Sequence, residues 1–375
     1  MPFDLAEALG YLVESEGSDL HLKVPSHPMI RRHGGLLPIP GSERLSAEVM
    51  EQTLDEVLVD QRKRDEFEAD YEVDLSHSVP GVARFRVNAF RQRGSISMVC
   101  RAIPFSIKTA DELLLPPVVS ELADEERGVI LLTGTTGSGK STTLAAMINR
   151  INTTQAKHIV TIEDPIEYMH RDNTSIINQR EVGEDTKSFG RALRRVLRQD
   201  PDVILVGEMR DEETVRTVLS AAETGHLVLS TVHTVDAAET VNRIIDFFSE
   251  SEQRQARAML AGTLKGVISQ RLVPTPDGNG RIATCEVLRM TGRVKDMILN
   301  PEETGRLPEV ISEGAYYGMQ TFDQALLAHV QNGRIDMATA MRYATHPHDF
   351  KLLVSSDGQR STSIESVMAT ADARY

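Results

Sequence analysis

The segment that most constrains the fold of this chain is GTTGSGKS at residues 134–141. It fits the pattern GxxxxGK[ST], in which glycines let backbone N–H groups turn toward the oxygens of a phosphate. An apolar run at residues 129–132 leads into the segment, and a helical stripe follows it, with Leu144, Met147, Ile148 and Ile151 on one face. A strand before the loop and a helix after it are the setting that a phosphate-binding loop requires. The segment therefore predicts a nucleotide-binding α/β domain.

The sequence after the loop alternates between apolar runs and helical patterns. Residues 159–162, 203–206 and 227–232 are short apolar runs of the kind found in buried parallel strands. A helical pattern that ends at Gly225 lies between the last two runs. This alternation predicts a parallel sheet covered by helices on both faces. Beyond residue 235 the pattern is mainly helical.

The residues before the loop predict a smaller α/β domain of their own. Helical stripes begin after Asp4 and after Ser46, and alternating apolar residues at 20–24 and 83–89 predict strands. The proline-bracketed residues that follow lack periodicity and are predicted to form a linker. The chain is thus predicted to have three parts: an N-terminal domain at 1–103, a linker at 104–117 and a nucleotide-binding domain at 118–375.

The composition is that of a folded, acidic protein. Its net charge of −14 disfavours nucleic acid as a partner, except at a local basic patch. Its two cysteines, Cys100 and Cys285, are too few for a four-cysteine zinc site. We find neither a basic leader with an apolar run behind it nor an apolar stretch of about 18 residues, so we expect a cytoplasmic protein that contacts a membrane through a partner. Disorder is expected only in the polar tail after Val354.

The loop predicts binding of ATP with Mg²⁺. Lys140 would reach the β- and γ-phosphates, and the Ser141 hydroxyl would coordinate Mg²⁺. The loop residues whose backbone would surround the phosphates are Gly134, Thr135, Thr136, Gly137, Ser138 and Gly139.

Acidic residues follow two of the predicted strands. The run at 203–206 leads to Glu208, an arrangement that holds Mg²⁺ through water, although many phosphate-loop proteins have aspartate there. The run at 159–162 leads to Glu163 and Asp164, and a carboxylate there can orient or deprotonate the attacking water. The alternative is that these acids are solvated loop residues. We favour a functional role because the carboxyl ends of parallel strands meet at one edge, where ligands bind.

Two histidines flank the strand predicted at 227–232. His233 follows the strand at its ligand edge, and we interpret it as a sensor of the γ-phosphate. His226 lies at the opposite end, so the two do not form a metal pair. For both histidines the alternative is a structural role.

An arginine run in the N-terminal domain has no acidic residue between its first and last members: Arg84, Arg86, Arg91, Arg93 and Arg101. Three interpretations stay open, namely a solvated strand face, a nucleic-acid patch and arginines aimed at a nucleotide. Aromatic residues within the run are few, and Phe85 falls on the predicted core face. This weakens the case for stacking on nucleic-acid bases.

Several stretches together resemble the type II secretion/type IV pilus ATPase superfamily. Residues 197–211, LRQDPDVILVGEMRD, look like its signature, while residues 161–168 resemble its aspartate box and residues 225–234 its histidine box. Residues 317–324, YGMQTFDQ, are similar to a stretch typical of the pilus retraction ATPases, the PilT branch. The likeness extends over nearly the whole chain, including GSDLHL at residues 17–22.

The resemblance implies a PAS-like N-terminal domain and a RecA-like ATPase domain with a helical C-terminal part. It further implies a homohexameric ring, with nucleotide between the two domains of one subunit. The implied activity is ATP hydrolysis that drives pilus retraction through an inner-membrane platform protein, and indirectly moves pilin. The ring would thus be cytoplasmic and associated with the membrane only peripherally.

The resemblance also implies roles for individual residues. Glu163 would activate the attacking water, Glu208 would support Mg²⁺ and His233 would sense the γ-phosphate. Arg86 and Arg101 are the closest matches to the arginines of the family's N-terminal domain. The residues implied to bind ATP and Mg²⁺ in the loop are Lys140, Ser141 and Thr142.

Three other functions are consistent with parts of the sequence. A pilus assembly or secretion ATPase would use identical chemistry, but the long N-terminal extension and tetracysteine insert usual in such proteins are not found here. Residues 292–298, GRVKDMI, in turn depart from the Ala-Ile-Arg-Asn-Leu-Ile-type motif of the retraction branch. A RecA-like nucleic-acid translocase is disfavoured by the acidic charge. A catalytically silent scaffold subunit is disfavoured because every catalytic motif is present.

Overall fold

The computed structural model describes residues 3–32, 34–103, 106–278 and 280–355, so the tail expected to be disordered lies outside the described residues from Ser356 onward. Pro104 and Phe105 of the predicted linker also lie outside them. The chain forms two compact units. The first comprises Met1–Ser106 with Glu167–Met169, and the second comprises Ile107–Ile166 with His170–Tyr375.

The first unit contains a six-stranded sheet in the order β3-β2-β1-β6-β5-β4, in which all neighbours are antiparallel. Its strands are β1 (Asp19–Lys23), β2 (Met29–Arg32), β3 (Gly35–Pro38), β4 (Glu72–Val79), β5 (Ala83–Gln92) and β6 (Ser95–Ile103). Its helices are α1 (Leu5–Glu14), α2 (Ala47–Val57) and α3 (Gln61–Asp70). The side chains of Asp4 and Ser46 cap α1 and α2, as the sequence predicts. Alternate residues of β5, such as Phe85 and Val87, are fully buried, so one face of the sheet forms the core.

The second unit contains a seven-stranded sheet in the order β13-β12-β7-β11-β10-β8-β9. Its strands are β7 (Gly128–Thr133), β8 (His158–Glu163), β9 (Ile176–Glu181), β10 (Val203–Val206), β11 (Leu227–Val232), β12 (Leu264–Pro274) and β13 (Arg281–Arg289). All neighbours are parallel except β12 and β13. Its α-helices are α4 (Pro117–Ala123), α5 (Lys140–Thr154), α6 (Phe189–Val196), α7 (Glu212–Glu223), α8 (Ala237–Asp246), α9 (Gln253–Thr263), α10 (Gly292–Leu299), α11 (Leu307–Glu313), α12 (Phe322–Gln331) and α13 (Met337–Tyr343).

The central strands of this sheet are buried on both faces. In β7, Val129 and Leu131 pack into one apolar cluster with α7 and α8, whereas Ile130 and Leu132 pack into another with α5. A strand covered on both sides needs apolar residues throughout, which is why β7 has no polar alternation. The predicted parallel sheet between two helical layers is confirmed, and the fold is mixed α/β.

The prediction of a mainly helical chain beyond residue 235 was incomplete. Two long strands lie there, β12 and β13, joined by a turn that contains Asp277 and Gly278. They extend the sheet beside β7, and β12 thereby lies next to the strand that leads into the predicted phosphate loop. In the described part of the chain, no helix combines the length and the apolar character needed to cross a membrane.

Candidate nucleotide-binding site

The predicted phosphate loop connects the end of β7 to the start of α5. Gly134, Gly137 and Gly139 have φ values of 137°, 79° and 91°. Residues with a β-carbon rarely adopt these values, so the loop can take this shape only because it has glycine at these positions. Gly139 is the residue that immediately precedes α5, and the N–H groups of the first helical turn therefore face the loop.

Lys140 is the first residue of α5, and only 8% of it is exposed. Its ammonium group donates hydrogen bonds to the backbone oxygens of Gly134 at 2.7 Å and Thr135 at 3.1 Å. Burial lowers the pKa of Lys140 below its ordinary value, and the Glu208 carboxylate partly opposes this shift. A positive charge in such a poorly hydrated place interacts with an anion more strongly than it would in water.

The other loop residues differ in exposure. The middle of the loop is exposed at Thr135, Thr136 and Gly137, whereas Ser138 is buried. In the first turn of α5, Ser141 is exposed and Thr142 is partly buried.

Three more predicted residues lie at the same edge of the sheet as the loop. Glu163 is the last residue of β8, Glu208 follows β10, and His233 directly follows β11. Because β8, β10, β11 and β7 are parallel neighbours, their carboxyl ends point the same way. The structure therefore brings these residues to the edge where ligands bind in open α/β sheets.

The Glu163 carboxylate is held in a fixed orientation by two donors. Its Oε1 accepts a hydrogen bond from Thr161 Oγ1 at 2.6 Å and another from Gln179 Nε2 at 3.2 Å. Gln179 is itself fixed, because its Oε1 accepts the backbone N–H of His170 at 2.8 Å. A carboxylate held in this way is prepared to act on a substrate without first reorganising.

Glu208 lies at the centre of a polar network. Its side chain is 17% exposed, and its Oε1 lies 3.4 Å from His233 Nε2. Its Oε2 accepts from Arg210 at 2.7 and 2.8 Å, and Arg210 also approaches Asp164 at 3.8 Å. The network thus connects the ends of three strands, β8, β10 and β11.

His226 lies at the far end of β11 from this network. Its Nδ1 is 2.9 Å from the backbone oxygen of Ala221 and 3.2 Å from Thr224 Oγ1, both at the C-terminal end of α7. These contacts agree with the structural alternative for His226.

In the first unit, Arg86 and Arg101 lie directly opposite each other on β5 and β6. Both side chains are exposed, and each has an acidic neighbour from an adjacent strand. Arg101 contacts Asp19 at 2.8 Å, and Arg86 lies 3.9 Å from Asp74. Burial would raise the pKa of Asp19, but hydrogen bonds from Ser18 and Arg101 hold it below its usual value. Arg101 therefore stabilises the buried Asp19 carboxylate, whereas Arg86 has only a longer contact with the exposed Asp74.

Three residues of the candidate site were not predicted from the sequence: Gln179, Arg210 and Gln270. Gln179 lies on β9, an edge strand of the sequence IINQRE, which shows little apolar alternation. Arg210 belongs to the signature stretch, but nothing in its sequence position assigns it a contact with Glu208. Gln270 lies on β12, and the Asp-Gly turn between β12 and β13 is the signal that would have revealed this hairpin.

The residues at this edge fit a nucleotide phosphate with a divalent cation. The glycine loop, the N-terminus of α5 and the Lys140 ammonium suit an anion. The Ser141 hydroxyl and the Glu208 carboxylate are the hard oxygen ligands that Mg²⁺ prefers. Among the described residues, no group of three or more His, Cys, Asp and Glu side chains could hold a metal.

Comparison with known proteins identifies the family. A model of the type II/IV secretion system protein family matches residues 116–342. A twitching motility protein of Neisseria gonorrhoeae is 48% identical over 317 residues, which are 84% of this chain and 84% of that protein. The type IV pilus retraction ATPase PilT of Pseudomonas aeruginosa is 43% identical over 349 residues, 92% of this chain and 100% of that protein.

A solved structure agrees with these sequence relatives. The crystal structure of the pilus retraction motor PilT with bound ADP matches with a TM-score of 0.83 and 42% identity, and the match covers 92% of this chain and 98% of that one. These matches confirm the predicted resemblance to the superfamily and to its PilT branch. The chain therefore belongs to the type II/IV secretion system protein family, among its PilT-type ATPases.

Proposed function

We propose that the chain is an Mg²⁺-dependent ATPase that drives retraction of a type IV pilus. The observation that carries the proposal is the arrangement of the glycine loop, Lys140, Glu163 and Glu208 along one edge of a parallel sheet. The direction of force is supported by the relatives, which are named for twitching motility and for pilus retraction.

We assign each residue a role from its position and chemistry. Lys140 and the loop N–H groups bind the phosphates of ATP, together with Ser141 and Thr142. Mg²⁺, when bound, neutralises charge on the phosphate oxygens. Ser141 and Glu208 would hold it, the latter partly through water.

The remaining steps concern the attacking water and the γ-phosphate. Glu163, oriented by Thr161 and Gln179, accepts the proton of the attacking water. His233 follows the strand next to β7 and donates to the γ-phosphate. His233 also lies 3.4 Å from Glu208. When the γ-phosphate leaves, His233 loses this partner, and its contact with Glu208 passes the change to the residue that supports the metal.

The proposal extends to architecture and partners. Residues 1–103 would form a PAS-like domain, residues 104–117 a linker, and residues 118–375 a RecA-like ATPase domain. The chain would assemble as a homohexamer on the cytoplasmic face of the inner membrane, bind the pilus platform protein and act on pilin indirectly. The net charge of −14 supports the absence of nucleic acid from this list of partners.

Deletion of the gene tests the direction of force. If the chain drives retraction, cells without it are expected to carry more pili than the parent and to lose twitching, because assembly continues and disassembly stops. Pili per cell, counted by electron microscopy, and colony spreading are the measurements. A deletion strain without pili would instead identify an assembly ATPase. The test addresses residues 292–298 on α10, whose sequence departs from the motif of the retraction branch. In this stretch, Arg293 pairs with Glu313 at 2.7 Å.

A RecA-like nucleic-acid translocase remains the alternative from another class. It requires ATP hydrolysis that rises when single- or double-stranded nucleic acid is added. Equal rates with and without DNA and RNA at low salt would eliminate it.

The arginines of the first unit provide a further prediction. We propose that Arg86 and Arg101 supply positive charge that hydrolysis needs, an effect on the order of 10³-fold when fully engaged. Since Arg101 lies beside Arg86 and stays in place, we expect Arg86→Ala to bind ATP normally and to hydrolyse it about 10-fold more slowly. Arg101→Ala is less informative, because it leaves the buried Asp19 without its guanidinium partner.

Arg91→Ala is the matched control for Arg86→Ala. Arg91 lies on the same strand, but its guanidinium covers the Phe67 ring at 5.5 Å instead of lying beside Arg101. Arg91→Ala should therefore hydrolyse ATP at the parent rate.

Mixing Arg86→Ala subunits with Lys140→Ala subunits tests which nucleotide Arg86 acts on. Recovered activity indicates that Arg86 acts on the nucleotide of a neighbouring subunit, whereas no recovery indicates that it acts on the nucleotide of its own subunit. Normal hydrolysis by Arg86→Ala alone would return the arginine run to a solvated strand face.

A further inference from the structure

Gln270 connects the phosphate loop to the strand beneath it. The side chain belongs to β12 and is 2% exposed. Its Nε2 donates to the backbone oxygen of Ser138 at 2.9 Å, and its Oε1 accepts from Thr143 Oγ1 at 2.8 Å. One carboxamide therefore fixes both the loop, at Ser138, and the first turn of α5, at Thr143.

Two glycines of the loop pattern pack directly against Gln270. A β-carbon at position 134 would lie 2.4 Å from the backbone oxygen of Gln270, and one at position 139 would lie 2.7 Å from its Nε2. Real β-carbons do not approach other atoms so closely. The backbone contact requires glycine at position 134, and a β-carbon at position 139 would displace the Gln270 carboxamide from its hydrogen bonds; both positions also have positive φ values.

The strand that carries Gln270 is itself rigidly placed. Ser269, the preceding residue, pairs with Thr133 at the end of β7, and Gln270 pairs with Cys285 of β13. With neighbours on both sides, β12 provides a fixed support for the loop. The position of the Ser138 carbonyl, and with it the direction of the neighbouring N–H groups, follows from this support.

We propose that Gln270 is a positioning residue for nucleotide binding, acting through the phosphate loop without touching the substrate. This inference rests on the proposed function of the loop as the ATP site. The carboxamide holds the loop N–H groups and the start of α5 in the arrangement that phosphates need, so no binding energy is spent on ordering them.

The first variant removes both hydrogen bonds. Gln270→Leu keeps the side-chain volume but leaves the buried Ser138 carbonyl and Thr143 hydroxyl without their partner. We expect its Kd for a fluorescent ADP analogue with Mg²⁺ to rise about 10-fold or more. The KM for ATP should rise in parallel while kcat changes less, because the loop can still adopt the correct shape once nucleotide is present.

Gln320→Leu is the matched control. The Gln320 carboxamide also donates to a backbone oxygen of this sheet, that of Cys285 at 2.9 Å, but it does not contact the loop. Gln270→Leu loses two glutamine hydrogen bonds and Gln320→Leu loses the one to Cys285, so both variants should melt at a lower temperature than the parent. Only Gln270→Leu should lose nucleotide affinity, measured at a temperature where all proteins are folded.

The second variant provides a readout that a merely structural role would not change. In Gln270→Glu, an ionised carboxylate cannot donate to the Ser138 carbonyl, whereas a protonated one can. Burial favours the protonated form. The affinity deficit relative to the parent should therefore shrink as the pH falls from about 8 to about 6. The deficit of Gln270→Leu should stay constant over the same range.

The outcomes separate this inference from the proposed function. If the parent binds nucleotide and Gln270→Leu binds it equally well, the positioning role is wrong while the ATP site stands. The same conclusion follows if Gln320→Leu loses as much affinity, or if the Gln270→Glu deficit is independent of pH. Failure of the parent itself to bind nucleotide would overturn the proposed function, and this inference with it.

Discussion

Lys140→Ala is expected to reduce ATP hydrolysis about 1,000-fold and to weaken nucleotide binding, while the protein stays folded. The loss is large because the ammonium lies within the loop in a poorly hydrated position, where one donor to a developing charge contributes on the order of 10²- to 10³-fold. Folding should survive because burial disfavours the charged lysine, as its lowered pKa indicates. Alanine is also a good residue for the start of a helix.

Lys157→Ala is the matched control for this experiment. Lys157 belongs to the same unit, but it precedes β8 at the opposite edge of the sheet, where its ammonium lies 3.9 Å from Asp202. Phosphate release, binding of a fluorescent nucleotide and thermal unfolding should be measured for both variants. Unchanged steady-state hydrolysis by Lys140→Ala would remove the central claim that this loop binds the triphosphate.

The phosphate loop and the strands around it could be predicted because their signals are local. The glycine pattern specifies a backbone shape, and a strand buried on both faces shows itself as a mainly apolar run, as in β7 and β10. Parallel strands then bring their carboxyl ends together. The sequence alone therefore predicts that Glu163, Glu208 and His233 lie at one edge of the sheet.

The pairings within the site could not be predicted, since they depend on residues that the sequence does not mark. Gln179 lies on an edge strand whose mixed polar sequence resembles a loop. Gln270 lies on one of two strands in a segment that is otherwise mainly helical, and the helical pattern on either side of this hairpin hides it in the sequence. In both cases the informative fact is which strand becomes the neighbour, and this is decided by tertiary packing.

The arginine run illustrates the same limit from another side. Along the chain no acid separates Arg84 from Arg101, so the sequence leaves a solvated strand face, a nucleic-acid patch and arginines aimed at a nucleotide all open. In the sheet, Asp74 from β4 lies beside Arg86, and Asp19 from β1 lies beside Arg101. Strand register determines which charged side chains become neighbours across a sheet. The sequence of one strand therefore does not show which charges the adjacent strand places beside it.

Glu163→Gln is expected to bind ATP and Mg²⁺ but to turn over at least about 100-fold more slowly. The substitution keeps the size and shape of the side chain. The amide oxygen can accept the hydrogen bonds that Thr161 and Gln179 now give to Oε1. The amide nitrogen then occupies the place of the second carboxylate oxygen, and it cannot take a proton from water.

Asp164→Asn is the control for the loss of one negative charge at this edge of the sheet. Asp164 adjoins Glu163 in the chain, but its side chain is 42% exposed and its contact with Arg210 is long, at 3.8 Å. Exposed pairs of this kind contribute little, so hydrolysis should fall less than about 5-fold. A single-turnover measurement with saturating Mg²⁺ separates the chemical step from nucleotide release in both variants.

Glu208→Gln distinguishes the two glutamates. If Glu208 supports the metal, this variant should need more Mg²⁺ to reach half of its maximal rate, whereas Glu163→Gln should keep the parent's Mg²⁺ dependence at a much lower rate. The contacts favour this division. Glu163 accepts hydrogen bonds from Thr161 and Gln179, whereas Glu208 is paired with Arg210 and lies 3.4 Å from His233, which follows the strand next to β7. Normal turnover by Glu163→Gln would reverse the assignment and make Glu208 the residue that activates water.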